Sequence, residues 1–390
     1  MEHQKRLSII WRILRPIVAL VLRIRFHYSA PLYQPPGPYI VVSNHVTDWD
    51  PLLVGAAFRN QMYFVASEHI LRLGFVSRLL NWLMAPIARQ KGGSAAGAVK
   101  NILRTIKLGG NVAFFPEGNR TWDGVTASFP ASTGKLIRTS GATLITFRIS
   151  GGYFASPRWS GNSCRKGKTS GRIVNTYTAD VLKGMTPDEI NDLIARDIHE
   201  DAYAQQEKGS IPFHGKRLAE NMETYLFICP ACGTMHKLLS TDDRFSCRAC
   251  GAEARYSPTG RLLGGQFRFD NIRDWGRWQS KKLQSMLASV PTDALIFSDS
   301  GFDLYRVHSS KGAELIAQGE VHLYHDVLEL PGGITLPISE IVGMSLRGAT
   351  DLYIGTLNGN HFQLKTAKVR NTVKYVEACR FLGAKFDCAV

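Results

Sequence analysis

The stretch VVSNHVTDWDPLL, Val41–Leu53, runs from the end of an apolar segment into one histidine followed by two aspartates and a proline. YIVVS, which leads into it, reads as a strand, and Asn44, Thr47 or Asp48 could each cap a helix running from Pro51 through Phe58. That reading leaves His45 unexplained. His45, Asp48 and Asp50 also offer nitrogen and oxygen donors to a metal, but no further ligand stands nearby to complete a shell. A third reading is a proton relay, in which a carboxylate holds one imidazole nitrogen protonated so that the other accepts a proton. His45 and Asp50, separated by four residues across a strand-to-helix turn, fit that requirement.

Outward from this turn, short apolar runs alternate with helical patterns: YIVVS, MYFVA, NVAFFP, TLITFRI and RIVNTY read as strands. Such alternation predicts an α/β layer structure. SAAGAVKNILRTIKLGG reads as a helix with Ala98, Ile102 and Ile106 on one face and a stop at Gly109 and Gly110. TPDEINDLIARDIHEDAYAQQ reads as one further helix, with Thr186 as N-cap, Pro187 at its first position and Glu189 completing a capping box.

The chain has 390 residues, which calls for two or three units rather than one. Hydrophobic residues make up 44% and charged residues 20%, which excludes both wholesale disorder and a polytopic membrane protein. A net charge of +15 favours a polyanionic partner such as nucleic acid, anionic lipid or a phosphorylated small molecule. LSIIWRILRPIVALVLRIRF, near the start, is broken by Arg12, Arg15, Pro16, Arg23 and Arg25, so it lacks the ~20 apolar residues that a membrane span needs. Its period predicts a basic amphipathic helix with Arg12, Arg15 and Arg23 on one sector and Ile10, Leu14, Ile17, Val21 and Ile24 opposite, suited to the plane of an anionic membrane surface.

Beyond EKGSIPFHGKR the cysteines take over. Cys229 and Cys232 form one CxxC and Cys247 and Cys250 another, at zinc-ribbon spacing. Four thiolates leave no open position on the ion, so the zinc is expected to be structural, with no catalytic metal. Cys164, Cys379 and Cys388 stand apart with no disulfide framework, pointing to a reducing compartment. After Gly260 the runs ALIF, FDLYRVH, ELIAQ, VLEL, ITLPI and LYIGTL read as strands, with a turn at Asn358-Gly359, and a final helix carries Val369, Val373, Val376 and Cys379 along one stripe. Lys and Arg are spread along the whole chain and no RNP-like aromatic motif is present, which counts against nucleic acid as the partner.

NHVTDWD at Asn44–Asp50 resembles the NHx4D block of the glycerolipid acyltransferases, the 1-acylglycerol-3-phosphate acyltransferase family, and FFPEGNRT at Phe114–Thr121 resembles that family's FPEGTRS signature. APIARQ at Ala85–Gln90 stands in the place of an intermediate block ending in arginine, and GATLITFRI at Gly141–Ile149 is similar to the last strand. The sequence departs from the pattern at Asn119, where the family has threonine, at Thr121, where it has serine, and in lacking a proline in that strand. The resemblance, over residues 7–204, implies transfer of a fatty acyl group from acyl-CoA or an acyl-carrier-protein thioester to a lysophospholipid hydroxyl. His45 would be the general base and Asp50 its orienting partner. Glu117, Gly118 and Arg120 would hold the acceptor's phosphate end, with Arg89 and Lys135 as further phosphate ligands; Gly118 lets backbone approach a ligand, and Arg120 offers a fork matched to phosphate.

The expected architecture is therefore α/β: an amphipathic membrane-associating helix at 1–30, an acyltransferase-type sheet covered by helices at 31–210, a zinc ribbon at 225–258 and a β-rich unit at 264–390. The last loosely resembles a PH-like or GRAM-like domain, which would bind a protein or a lipid. The whole reads as a peripheral membrane enzyme on a cytoplasmic face. The competing class is a catalytically silent membrane-binding adaptor, or a ribbon protein that binds nucleic acid or protein.

Overall fold

In the computed structural model, residues 2–67, 75–89, 96–161, 163–308, 312–348, 350–366 and 371–385 are described. Helix α1 (Glu2–Phe26) is followed by β1 (Tyr39–Ser43), α2 (Asp50–Ala56), β2 (Met62–Ser67), α3 (Phe75–Met84), β3 (Ile87–Arg89), α4 (Ala96–Lys107), β4 (Asn111–Phe114), α5 (Ser132–Ser140) and β5 (Thr143–Ser150). The short α6 (Gly152–Ala155) precedes β6 (Ser170–Tyr177), α7 (Ala179–Lys183), α8 (Pro187–Ile198) and α9 (Ala202–Gly209). The first six strands form one sheet in the order β3-β2-β4-β1-β5-β6, parallel except for β6.

Every residue of β1 is buried, as a central parallel strand with both faces covered requires, and this is why YIVVS is apolar nearly throughout. Its register against β4 pairs Val42 with Phe114. Counting three residues past each places His45 beside Glu117 at the carboxyl end of the sheet, where open α/β sheets bind their ligands.

Several expectations are corrected. Helix α2 begins at Asp50, with Trp49 at its N-cap making no side-chain bond; Thr47 Oγ1 instead accepts from the Trp49 N–H, and the expected caps do not close the helix. The long helix from Thr186 is two helices. The capping box at Thr186 and Glu189 is present, but the chain leaves helical geometry at His199, and Asp201 caps α9 by accepting from Tyr203 and Ala204. The break has a cause in pairing: Thr126 N–H donates to the Glu200 carbonyl, and Glu200 N–H donates back to the Thr126 hydroxyl. Helix α4 buries Ala98, Ile102 and Ile106 as expected; Ser94 and Ala95, together with Gln90, Val369 and Cys388, lie outside the described residues.

On α1 the expected two-sided helix is a three-sided one. Leu7, Trp11, Leu22 and Phe26 pack on the sheet domain, with Trp11 Nε1 donating to the Phe58 carbonyl. Arg15 turns to that side as well and donates to the Ala56 carbonyl, so it does not join Arg12 and Arg23 on the exposed sector. A second apolar stripe, Ile9, Ile13, Ile17, Leu20, Val21 and Ile24, is 45–63% exposed. No helix among the described residues is long and apolar enough to cross a membrane.

Beyond α9, strands β7 (Leu238–Thr241), β8 (Arg244–Cys247), β9 (Glu253–Tyr256) and β10 (Leu262–Leu263) form a small antiparallel sheet. An 18-residue helix follows, α10 (Ile272–Ser289), where β-type runs were expected from residue 264. Its buried residues Ile272, Trp275, Gln279, Leu283 and Leu287 keep a helical spacing, but one of them is polar and Gly276 interrupts the pattern, so the apolar period is thin. Gln279 is buried because it completes the ribbon's backbone: Oε1 accepts from Phe227 and Ile228 N–H, and Nε2 donates to the Tyr225 carbonyl. The remaining strands, β11 (Phe297–His308), β12 (Gly312–Leu323), β13 (Val327–Leu330), β14 (Ile334–Pro337), β15 (Ile341–Arg347), β16 (Asp351–Thr356) and β17 (His361–Thr366), form an antiparallel sheet, and α11 (Val373–Phe381) packs against α10 and β15.

Candidate active site

The loops that leave β1 and β4 meet at the carboxyl end of the sheet. Asn44 fixes the first of them: its amide donates to the Ile149 carbonyl and its Oδ1 accepts from Ile149 N–H, so a side chain takes the place of a strand neighbour at the end of β5. His45 then faces outward, its side chain 19% exposed, while Asp50 is fully buried. Asp50 Oδ2 lies 2.7 Å from His45 Nδ1 and also accepts from Val46 N–H at 2.6 Å and Thr47 N–H at 3.0 Å. The Thr47 hydroxyl donates to Oδ1 at 2.8 Å. A buried ionised carboxylate surrounded by donors can only accept, so the imidazole proton belongs on Nδ1 and Nε2 is left as the basic nitrogen. Phe115 stacks on the imidazole with centroids 4.6 Å apart and restricts its rotation.

Glu117, expected at the acceptor's phosphate end, sits between the two loops. It is 2% exposed, and its two oxygens accept from His45 N–H at 2.6 Å and Ala127 N–H at 2.7 Å, so it pins the histidine loop to the chain beyond the second motif. Burial pushes its carboxyl up to about 8, against the pull of these two donors. The bridge between the two loops uses both of its oxygens. Thr121 adds a second tie, its N–H donating to the His45 carbonyl at 3.0 Å.

The two arginines take the other side. Arg120, with its side chain 10% exposed, holds Asp48 through Nε at 3.2 Å, while its Nη1 is buried without a hydrogen-bond partner among the described residues. Gly118 has φ +73°, and a Cβ built there would stand 3.1 Å from Arg89 Nη1. Arg89 thus lies directly over the glycine, and only glycine permits both the backbone turn and the approach of the guanidinium. Lys135 is exposed on α5, and no hydrogen bond or ion pair among the described residues joins it to the dyad.

Sequence reasoning offered Asn44 only as a helix cap and missed Arg158. Arg158, 5% exposed, donates from Nη1 to the Arg120 carbonyl at 2.7 Å and from Nη2 to the Leu346 carbonyl of β15 at 3.1 Å, over the Trp122 ring at 4.2 Å. Nothing local signals this role, since Leu346 lies 188 residues away. Arg158→Ala leaves two buried carbonyls without donors and removes the cation from the indole, so a loss of about 3 kcal/mol is expected. Urea denaturation checks this, and an unchanged midpoint would refute the bridge.

The four ribbon cysteines converge: their Sγ atoms lie within 4.8 Å of one another, with Cys229–Cys250 at 3.9 Å and Cys232–Cys247 at 3.8 Å. Thiolates about 2.3 Å from a tetrahedral zinc stand about 3.8 Å apart, so the donor set and its spacing fit that ion. Each pair sits in the same knuckle: Gly233 and Gly251 N–H donate back to the Cys229 and Cys247 carbonyls, with φ of +74° and +75°.

A family model described as Acyltransferase matches residues 23–150. The chain is 27% identical over 107 residues to the 1-acyl-sn-glycerol-3-phosphate acyltransferase of Borreliella burgdorferi, covering 27% of this chain and 43% of that protein. It is 28% identical over 122 residues to the chloroplastic 1-acyl-sn-glycerol-3-phosphate acyltransferase of Arabidopsis thaliana, covering 29% and 32%. The chain therefore spans less than half the length of either relative. Among solved structures, the 1-acyl-sn-glycerophosphate acyltransferase of Thermotoga maritima aligns at 16% identity with a TM-score of 0.37, over 53% of this chain and 96% of that one. The matched residues contain both motif loops and the His45–Asp50 dyad, and over them the chain is similar to the 1-acylglycerol-3-phosphate acyltransferases.

Proposed function

We propose that the protein is an O-acyltransferase that moves a fatty acyl group from acyl-CoA or an acyl-carrier-protein thioester to the hydroxyl of a lysophospholipid, with 1-acylglycerol-3-phosphate as the acceptor and phosphatidic acid as the product. The observation that carries this reading is the His45–Asp50 dyad, with the acceptor nitrogen of the imidazole outward, on a loop tied to the one that bears Gly118 and Arg120. A hydroxyl needs a base as it attacks, and neutral imidazole is suited to that near pH 7. In the reaction the acceptor oxygen bonds to the thioester carbonyl carbon while His45 Nε2 takes its proton. The tetrahedral intermediate then collapses with loss of the carrier thiolate, which receives the proton. Asp50 holds the imidazole in the required tautomer, and Arg120 with Arg89 over Gly118 receives the phosphate end.

Zinc in the Cys229, Cys232, Cys247 and Cys250 set would be structural, holding the ribbon together and taking no part in the chemistry. The seven-stranded C-terminal sheet with its closing helix would serve as a PH-like module for a protein or lipid ligand.

The enzyme would work as a peripheral protein on an anionic cytoplasmic membrane face, with the outer stripe of α1 as its contact. Ile9, Ile13, Ile17, Leu20, Val21 and Ile24 are exposed along that helix, with Leu79 and Trp82 exposed on α3, and Arg6 lies over the Trp82 ring. Burying an isoleucine is worth about 1.5–3 kcal/mol, so Ile13→Asp with Ile17→Asp should weaken binding to anionic vesicles by about 100-fold or more. Flotation reads this, and equal binding by the double variant would move the contact elsewhere.

Acyl transfer from labelled acyl-CoA and acyl-carrier protein to a panel of lysophospholipids tests the function. Diacyl product with lysophosphatidate in excess over uncharged or zwitterionic acceptors is the expected result; no product with any donor and acceptor pair would sink the proposal.

A further inference from the structure

On the far side of the second motif loop, a cavity of about 290 Å³ opens between the acyltransferase sheet domain, α10 and α11. Its volume is near the ~300 Å³ at the lower end of small-molecule sites. Trp122 and Asp123 come from the loop that bears Arg120, Tyr225 from the chain entering the ribbon, Arg277 from α10, and Glu377 and Arg380 from α11. Tyr225 stacks on Trp122, centroids 5.6 Å apart and 4° from parallel, and forms one wall.

Two polar side chains in this lining are more than nine-tenths buried and have an atom without a partner among the described residues. Trp122, 2% exposed, has an indole N–H that finds no acceptor, and Glu377, 4% exposed, has an Oε2 that finds no donor. An unmatched buried donor and an unmatched buried acceptor are each costly, and both are met by a ligand that both accepts and donates. The charges are arranged in the same sense. Arg277 is exposed and Arg380 half-exposed at the rim, while Asp123 is partly buried and Glu377 is buried. Burial pushes the Glu377 carboxyl up to about 7, and Arg380 pulls against that shift. The two guanidiniums at the rim and the carboxyls of Asp123 and Glu377 give the lining separated donor and acceptor poles. A simple anion would leave Glu377 unmatched, and a simple cation would leave the guanidiniums and the indole unmatched. Together these hydrogen-bond donors exceed what the two oxygens of a carboxylate ligand would use, so a phosphate fits better than an amino acid.

We propose that this cavity binds a phosphate ester bearing a primary ammonium, the phosphoethanolamine group, with its phosphate at Arg277, Arg380 and the Trp122 N–H and its ammonium at Glu377. That group occurs both as a free ester and as a phospholipid headgroup. The site is distinct from the His45 dyad, and its existence does not rest on the acyl-transfer reading. Since Trp122 and Asp123 follow Arg120 directly, the ligand would touch the back of the loop whose front carries the arginine.

Calorimetric titration of the full, zinc-loaded chain with O-phosphoethanolamine tests this, beside flotation with vesicles containing either phosphatidylethanolamine or phosphatidylcholine. One site with Kd below about 1 mM for the free ester, or selective binding of the phosphatidylethanolamine vesicles, is expected and would name the source. Inorganic phosphate and phosphocholine, which lacks an N–H donor, should bind the cavity at least about tenfold more weakly. Glu377→Gln should cost the same factor while leaving the fold as judged by circular dichroism; should that variant not fold, Arg277→Ala, at an exposed position, carries the test. Binding in neither arm, equal affinity for inorganic phosphate, or undiminished binding by the folded variants would overturn the proposal.

Discussion

Replacing His45 by alanine is expected to lower kcat for acyl transfer by about 10²–10⁴-fold, the range for loss of a positioned general base. KM for the lysophospholipid should change little, because in the proposed mechanism the imidazole moves the proton while Arg120 and Arg89 bind the phosphate. The substitution is mild for the fold. His45 is tied to Glu117 and Thr121 by its backbone N–H and carbonyl, which alanine keeps, and the side chain is partly exposed. Asp50→Asn should cost less in rate but more in stability, since the fully buried carboxylate accepts from two backbone N–H groups, a hydroxyl and the imidazole, and an amide would turn a donor toward donors. Steady-state kinetics on variants matched for melting temperature and zinc content decides the matter. A His45→Ala enzyme that retains more than about a third of the wild-type rate would remove the histidine from the role of base.

Stripping the ribbon of its metal is expected to unfold it and to loosen everything packed on it. Structural zinc contributes about 10–16 kcal/mol to sites of this kind, as much as the whole stability of an ordinary domain, ~5–15 kcal/mol. The strands of the ribbon are only 2 to 4 residues long, so its backbone ladder contributes little by itself. The damage would spread through α10: Trp275 is fully buried against Phe245 and Phe267 and donates to the Ile228 carbonyl, and Gln279 closes the backbone of Tyr225, Phe227 and Ile228. Elemental analysis should find one zinc per chain before chelation, and tryptophan emission should shift to the red after it. Unchanged emission and melting in metal-free protein, with all four thiols titrating as free, would mean that the knuckles stand without an ion.

What was legible in the sequence was what is local in it. His45 and Asp50 lie within one turn, so their pairing could be argued from spacing, and the two CxxC motifs each build a knuckle from five consecutive residues. The adjacency of the two motif loops needed the register of β1 on β4, and that depends on tertiary pairing. The same limit hid the place of Glu117, whose partner His45 is 72 residues away, so that a motif residue was given to the ligand when it belongs to the loop. The tie made by Asn44 and the place of Arg158 were hidden for the same reason, their partners lying 105 and 188 residues off. On α1 the helix was legible but its faces were not: a helix with two apolar stripes has two ways to turn, and only the packing of Trp11, Leu22 and Phe26 chose between them. Helix α10 escaped because it is held by a buried glutamine and a tryptophan as much as by an apolar face.

The buried guanidinium of Arg158 also bears on how such a protein can be taken apart. A sequence that reads as four units in a row invites excision of the first two, by cutting the chain near residue 210. That cut would take away the Leu346 carbonyl from one arm of Arg158 and the Tyr225 ring from the face of Trp122, next to the loop that presents Arg120. The C-terminal half is thus part of the wall behind the loop that bears Arg120, not an accessory appended to it. For the same reason, a fragment of this chain that keeps both arms of Arg158 in place ends no earlier than β15, and a tail grafted elsewhere would carry only half of a joint.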